Sequence, residues 1–230
     1  MDTQLLQTLE RETAPDPQWT VLWLHGLGAD GNDFAPIVPE LVRSGWPALR
    51  FVFPHAPQRA VTINGGVRMR AWYDIRSTDF TSGNLANRAD EQGVRESVAQ
   101  VEALIARETT RGIPPSRLLL AGFSQGGAIA LAAGLRCEAP LAGLIALSAY
   151  LPMHDRAAQT VTPQARTQPL FMAHGTQDPV VPVAAGEHSA ALLRELGFSV
   201  DWHRYPIPHS VCAEEIRDLG DWMSRRFAAG

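Results

Sequence analysis

Ser124 has the clearest potential for chemistry, because it is the central residue of a G-x-S-x-G sequence at residues 122–126. The apolar run 118–121 before it is typical of a buried strand, and the alanine-rich run 128–133 after it is typical of a helix. A serine in a sharp strand-to-helix turn exposes its hydroxyl, and flanking glycines leave room for the strained backbone. The pattern therefore predicts a nucleophile elbow, and a plain Gly/Ser-rich turn is the less favoured alternative.

Two later residues complete the set that nucleophilic catalysis requires. A serine hydroxyl is a weak nucleophile unless a base takes its proton, and after an elbow serine the acid precedes the histidine along the chain. Asp178 follows the apolar run 169–173, and His209 follows the alternating run 200–205. Both should lie in loops at strand ends. The order predicts Ser124 as nucleophile, His209 as base and Asp178 as the acid that orients it.

Other histidines compete for the role of base, since most histidines are structural or lie on the surface. They are His25, His55, His154, His174, His188 and His203. We expect His174 directly after its strand, His188 in a helix and His203 within the last strand. Only His209 occupies the loop that follows the final strand, and that position selects it.

Acyl transfer also needs N–H donors directed at the oxygen that becomes negatively charged. The residue after the nucleophile and a loop after an earlier strand usually supply them, so Gln125 is the first candidate. Residues 21–24 are typical of a strand that leads into the HGLG sequence at residues 25–28. The N–H of Leu27 is therefore the predicted second donor, with an ordinary glycine-rich turn as the alternative.

The same loop contains a literal G-x-G-x-x-G at residues 26–31, which raises the alternative of a dinucleotide-binding oxidoreductase. That motif requires a helix that opens at the third glycine and an acidic residue at the end of the next strand. Here prolines interrupt the following segment, and the next predicted strand, residues 50–53, ends in Pro54 and His55. We therefore expect no nucleotide site.

Taken together, these segments resemble the carboxylesterase, phospholipase and acyl-protein thioesterase family of α/β hydrolases over nearly the whole chain. The resemblance is carried by residues 25–28 (HGLG), 122–127 (GFSQGG), 174–178 (HGTQD) and 208–210 (PHS), and further by 54–57, 69–74 and 148–152. Ala149 stands where the family pattern has glycine. The resemblance implies the same triad and the same two oxyanion donors that the residues themselves indicate.

The chain as a whole fits one α/β domain over residues 1–230. It has 230 residues, of which 45% are hydrophobic, enough for one substantial core, and strand and helix patterns alternate without a break in composition. Apolar periodicity predicts a helix around residues 94–105 and another around 216–227. The expected architecture is an α/β-hydrolase fold with a mainly parallel central sheet flanked by helices.

Substrate access is predicted to be open, because residues 150–168 are too few for a large helical lid. Residues 58–86 form either a flap over the site or a homodimer contact. The predicted acyl groove is lined by Leu27 with Trp72, Leu151, Met153, Val180 and Val181, and plain packing is the alternative for each of them.

Composition excludes several classes of function. All twenty basic residues are arginine, so Schiff-base chemistry and a Ser-Lys dyad are excluded. The net charge of −4 is dispersed, which disfavours nucleic acid and anionic membranes. Cys137 and Cys212 lack metal-ligand spacing and are expected as ordinary buried thiols, so no metal or cofactor is predicted. The absence of a signal-like start and of a long apolar run predicts a cytoplasmic protein without stable membrane insertion.

The predicted function is therefore a serine carboxylesterase acting on short- to medium-chain, small or lipid-like acyl esters through an acyl-enzyme intermediate. An acyl-protein thioesterase or a lysophospholipase is the alternative within the same chemistry, because the acyl-enzyme step does not depend on the leaving group. A non-catalytic binding protein of the same fold is disfavoured, since the chain retains all three triad residues.

Overall fold

A computed structural model describes residues 5–80 and 88–229 of the chain. Its strands alternate with helical segments, as the sequence predicts. The strands are β1 (Thr8–Glu12), β2 (Trp19–Leu24), β3 (Leu49–Pro54), β4 (Gln58–Val61), β5 (Val67–Arg70), β6 (Leu118–Phe123), β7 (Gly143–Leu147), β8 (Leu170–Gly175) and β9 (Val200–Tyr205). The helices are α1 (Val38–Leu41), α2 (Glu91–Thr110), α3 (Gln125–Gly134), α4 (Ala157–Thr160), α5 (Val183–Glu195) and α6 (Ala213–Ala229).

Seven strands form one sheet in the order β1-β3-β2-β6-β7-β8-β9, and β4 pairs with β5 in a separate hairpin. Every neighbouring pair in the large sheet is parallel except β1 with β3. Leu24 of β2 therefore lies beside Gly122 of β6, and Gly175 of β8 lies beside Tyr205 of β9. The loops that follow these strands open at one edge of the sheet, where ligands bind in parallel α/β sheets.

The two faces of the sheet carry separate hydrophobic clusters, because successive residues of a strand point to opposite sides. Leu120 packs with α2, α3 and α5 on one face, whereas its neighbours Leu119 and Ala121 pack with α1 and α6 on the other. Both clusters consist of buried apolar side chains. Helices on both faces explain why the central strands are almost continuously hydrophobic.

The architecture confirms the prediction of a single α/β-hydrolase domain with a mainly parallel sheet. The helix predicted around residues 94–105 extends over Glu91–Thr110, and the C-terminal one over Ala213–Ala229. Asp90 caps α2, since its carboxylate accepts from the N–H of Gly93 at 2.9 Å. Residues 150–168 contain short helical turns and the four-residue α4, so no large lid is present there. Cys137 and Cys212 are half-buried rather than buried, and both are free thiols.

Candidate active site

Ser124 lies in the turn between β6 and α3, with the backbone angles φ 54° and ψ −119°. This left-handed value of φ is costly for a residue with a side chain, and close backbone packing maintains it. A Cβ atom on Gly126 would lie 2.3 Å from the carbonyl oxygen of Leu24, and one on Gly122 would lie 2.4 Å from Gly126. Only glycine fits at the two flanking positions, which gives the G-x-S-x-G pattern its physical cause.

The structure brings the three residues of the predicted triad together. Ser124 Oγ donates to His209 Nε2 over 2.9 Å, and His209 Nδ1 donates to Asp178 Oδ2 over 2.6 Å. The Asp178 side chain is fully buried, whereas 16% of the His209 side chain remains exposed. The carboxylate thereby fixes the tautomer that leaves Nε2 free to accept a proton from the serine.

The loop that carries Asp178 is fixed by a second histidine. Asp178 Oδ1 accepts from the N–H groups of Val180 and Val181, at 2.8 and 2.9 Å. His174 Nε2 donates to the carbonyl oxygen of Val181 at 2.8 Å and lies 3.4 Å from Asp178 Oδ2. Burial lowers the pKa of His174, so this histidine is neutral near pH 7. It lies within β8 rather than after it, and its contact with the Asp178 loop is not evident from the sequence.

Leu27 and Gln125, the predicted oxyanion donors, lie at the ends of neighbouring strands. Gln125 is the first residue of α3, and the first N–H groups of a helix have no partner within the helix. Neither N–H donates to a protein acceptor in the described residues. The loop of Leu27 is held by His25, whose Nδ1 donates to the Gly26 carbonyl at 2.7 Å and whose Nε2 accepts from Ala56 N–H at 3.1 Å. Both amides are therefore available to a substrate oxygen.

Burial keeps His25 neutral, since desolvation lowers its pKa to about 4. A charged imidazole would donate from both nitrogens and would lose the bond from the Ala56 amide. The neutral form is therefore part of the geometry of the loop that carries Leu27.

Trp72 does not line the groove, so this prediction is wrong. The residue is fully buried, and its indole Nε1 donates to the His25 carbonyl at 2.9 Å. Its backbone N–H donates to Gln125 Oε1 at 2.8 Å, and Gln125 Nε2 donates to the Tyr73 carbonyl at 2.7 Å. The ring is turned into the core because its N–H finds an acceptor there. The Trp72 and Gln125 side chains thus connect the two loops that carry the predicted oxyanion donors.

Ser124 opens into a cavity of about 280 Å³. Leu27, Val180 and Val181 line it as predicted. The residues that sequence reasoning missed are Ile63, Tyr73, Ile75, Thr78, Phe80, Arg88, Tyr150, Pro179 and Pro182. Several of them belong to the described part of the segment 58–86, which forms one wall of the cavity; residues 81–86 lie outside the described residues.

Leu151 and Met153 also fail to reach this cavity. They line a separate cavity of about 890 Å³ between α2, α3 and residues 151–162. The backbone N–H of Leu151 donates to Ser189 Oγ at 2.9 Å, which turns this loop away from Ser124. Tyr150 lines the smaller cavity, whereas its neighbour Leu151 lines the larger one, so the chain bends between them. The sequence contains no signal of this bend.

The glycine-rich sequence 26–31 does not have the geometry of a dinucleotide site. Gly31 opens no helix, and the next helical turn begins at Ala35. A Cβ atom on Gly31 would lie 2.5 Å from the carbonyl oxygen of Phe53, so packing against β3 explains this glycine. No group of three metal-ligating side chains occurs in the described residues, and no described helix is long and apolar enough to cross a membrane.

Comparison with known proteins places the chain in a family. The model of the phospholipase/carboxylesterase family matches residues 11–226. The chain is 39% identical over 227 residues to acyl-protein thioesterase 1 of Neurospora crassa, covering 97% of this chain and 91% of that protein. It is 36% identical over 210 residues to a probable carboxylesterase of Oryza sativa subsp. japonica, covering 91% of this chain and 78% of that protein.

Solved structures agree with these relatives. SOBER1 of Arabidopsis thaliana superposes with a TM-score of 0.85 at 33% identity, over 90% of this chain and 98% of that one. Acyl-protein thioesterase 2 of Zea mays superposes with a TM-score of 0.79 at 25% identity, over 95% of this chain and 99% of that one. The chain belongs to the phospholipase/carboxylesterase family of α/β hydrolases.

Proposed function

We propose that this chain hydrolyses acyl thioesters, with S-acylated cysteine as the first candidate linkage, and also cleaves carboxylic oxygen esters. The observation that carries the proposal is the continuous hydrogen-bonded chain from Ser124 through His209 to Asp178. The names of the fungal relatives favour the thioester over the short- to medium-chain oxygen ester that the sequence alone indicates first. The chemistry up to the acyl-enzyme is the same for both.

In the proposed acylation step, Ser124 Oγ attacks the carbonyl carbon of the substrate while His209 Nε2 takes the hydroxyl proton. The carbonyl oxygen becomes an oxyanion, which the N–H groups of Leu27 and Gln125 stabilise. Loss of one such donor costs about 10²- to 10³-fold in kcat. Collapse of the tetrahedral intermediate breaks the bond to sulfur or oxygen, and protonated His209 returns the proton to the leaving group.

Deacylation repeats these steps with water as the nucleophile. His209 Nε2 takes a proton from water, the hydroxide attacks the acyl carbon, and Ser124 leaves with its proton restored. Asp178 stabilises the imidazolium in both half-reactions without taking the proton. The neutral His174 and the amides of Val180 and Val181 hold that carboxylate in place.

The proposal is tested with matched thioesters and oxygen esters of one acyl chain, together with a fluorophosphonate probe. The probe should label the protein once, at Ser124, and Ser124→Ala should abolish both labelling and turnover. We expect a higher kcat/KM for the thioester after correction for nonenzymatic hydrolysis. Labelling of the alanine variant would contradict the role of Ser124, and a clear preference for the oxygen ester would return the assignment to a carboxylesterase.

A further inference from the structure

Arg88 is a buried residue in the wall of the cavity that contains Ser124. Only 4% of its surface is exposed, although it lines the cavity. Val180 lines the same cavity and is 53% exposed, so it marks the mouth. Tyr73 and Tyr150, both buried, accompany Arg88 at the inner end. The cavity therefore passes from an exposed apolar entrance to a buried cation.

Within the described residues, the groups that contact the Arg88 guanidinium are neutral. Nε donates to the Tyr150 hydroxyl at 3.3 Å, Nη1 donates to the carbonyl oxygen of Ser77 at 2.6 Å, and the guanidinium stacks 3.7 Å above the ring of Phe80. In the part of the chain that the structure describes, Nη2 has no protein acceptor and Arg88 forms no ion pair with a carboxylate. Residues 81–87, which lie outside that part, contain no aspartate or glutamate.

The neighbouring phenols do not supply the missing negative charge. The hydroxyls of Tyr73 and Tyr150 lie 3.1 Å apart and share a hydrogen bond. Burial raises the pKa of Tyr73 well above its usual value, so this phenol keeps its proton. A buried charge without a partner is strongly unfavourable, and arginine is the residue best suited to bind a carboxylate through two parallel hydrogen bonds.

We propose that Arg88 is a specificity residue that binds a carboxylate at the far end of the substrate's acyl chain. The preferred substrates are then monoesters or monothioesters of aliphatic dicarboxylic acids. This inference rests on the proposed function, because it requires acylation at Ser124. The acyl chain is favoured over the leaving group as the source of the carboxylate, since Arg88 lies at the buried end and a leaving group must depart through the open mouth.

The apolar walls between the two ends fit this assignment. Ile63, Ile75 and Phe80 line the cavity together with Val181, so a methylene chain can lie between the reacting carbonyl and the guanidinium. Each methylene buried there should raise kcat/KM by roughly fourfold. The terminal carboxylate would replace its water shell with the free N–H groups of the guanidinium.

The test compares kcat/KM for three 4-nitrophenyl esters: the adipate half-ester, its neutral methyl ester and the hexanoate. We expect the wild-type enzyme to prefer the half-ester. Arg88→Met and Arg88→Gln should lower the ratio of half-ester to methyl ester by roughly 10- to 100-fold, the range for hydrogen bonds to a charged group. Arg88→Lys, which keeps the charge, should restore part of the preference.

Arg76→Met is the matched control, because Arg76 is a nearby arginine that is 57% exposed and paired with Asp90. It removes the same charge and should leave the ratio unchanged. A second arm uses a neutral acyl chain with an anionic leaving group, 4-hydroxybenzoate, against its neutral amide. If the Arg88 variants change the ratio of kcat/KM in that arm alone, the placement of the carboxylate on the acyl chain is overturned.

Two results separate failure of this inference from failure of the proposed function. Hydrolysis of the hexanoate without preference for the half-ester would overturn the role of Arg88 and leave the serine hydrolase intact. Absence of turnover on every ester, together with no labelling at Ser124, would overturn the proposed function itself. If an Arg88 variant fails to fold, the wild-type ratio still decides, since a preference for the methyl ester contradicts the proposal.

Discussion

Two cavities of the described chain differ in the residues that line them. The cavity at Ser124 has a volume of about 280 Å³, whereas the one between α2, α3 and residues 151–162 has about 890 Å³. The smaller one contains the serine, a buried arginine and two backbone amides that have no protein acceptor among the described residues. The larger one contains Cys137, but desolvation raises the pKa of this thiol to about 12, so it is not a nucleophile at neutral pH.

The two cavities also differ in the structural elements that form their walls. The smaller one lies at the carboxyl edge of the sheet, where loops after β2, β6 and β8 converge and buried polar groups hold them. The larger one lies between helix faces, with surface ion pairs such as Arg156–Glu91 and Arg136–Glu102 at its rim. Convergence of polar groups at a strand edge, rather than volume, therefore distinguishes the candidate active site.

The largest expected effect tests which of the two cavities takes part in catalysis. His209→Ala should lower kcat by about 10³-fold or more, because His209 is the base that the described residues place at hydrogen-bond distance from Ser124 Oγ. Cys137→Ala in the larger cavity should leave kcat unchanged. Turnover on one thioester by both variants provides the measurement, with circular dichroism as the check on folding. Equal losses in the two variants would show that the larger cavity takes part in catalysis.

The next effect concerns the stability of the fold in acid, which we expect to depend on His25 in the loop that carries Leu27. The pKa of His25 is lowered from 6.5 to about 4 in the folded chain. Between these values the unfolded chain binds a proton that the folded chain does not, so stability is lost as the pH falls from 6.5 to 4. The loss is on the order of 3 kcal/mol.

His25→Asn should therefore be less stable than the wild type near neutral pH but lose less stability on acidification. Urea unfolding at neutral pH and near pH 4 gives, for each protein, the slope of the free energy of unfolding against pH. Cys137→Ala should follow the wild-type slope, since Cys137 does not titrate in this range. An unchanged slope in His25→Asn would mean that other groups cause the acid sensitivity.

The smallest effect concerns acyl-chain selection within the cavity at Ser124. Ile63→Trp should fill part of the apolar wall along which the acyl chain is proposed to lie and remove the benefit of about two methylenes, which lowers kcat/KM for an octanoyl relative to an acetyl ester by roughly tenfold. Gln159→Trp places the same ring at an exposed position of the larger cavity and should not alter this ratio. If Gln159→Trp shifts the chain-length profile instead, the acyl chain occupies the larger cavity.

The sequence was sufficient to predict the triad residues but not the residues that line the cavity. Ser124, Asp178 and His209 follow strands of a parallel sheet, so their order along the chain was enough to predict that they meet. Trp72, Leu151 and Met153 were assigned by proximity in sequence to those loops, and all three lie elsewhere. An apolar residue beside a catalytic loop can point either way, and the pattern does not reveal which.

What the sequence determined by itself was the fold and the position of the candidate nucleophile, base and acid. Strand periodicity, the obligatory glycines around Ser124 and the loops at strand ends are local properties that leave direct marks in the chain. The tertiary structure decided which side chains face the cavity, because that depends on packing between distant elements. Arg88, Tyr73 and Tyr150 meet at its inner end although no local pattern joins them, and only the folded chain shows that this arginine has no anionic partner in the described residues.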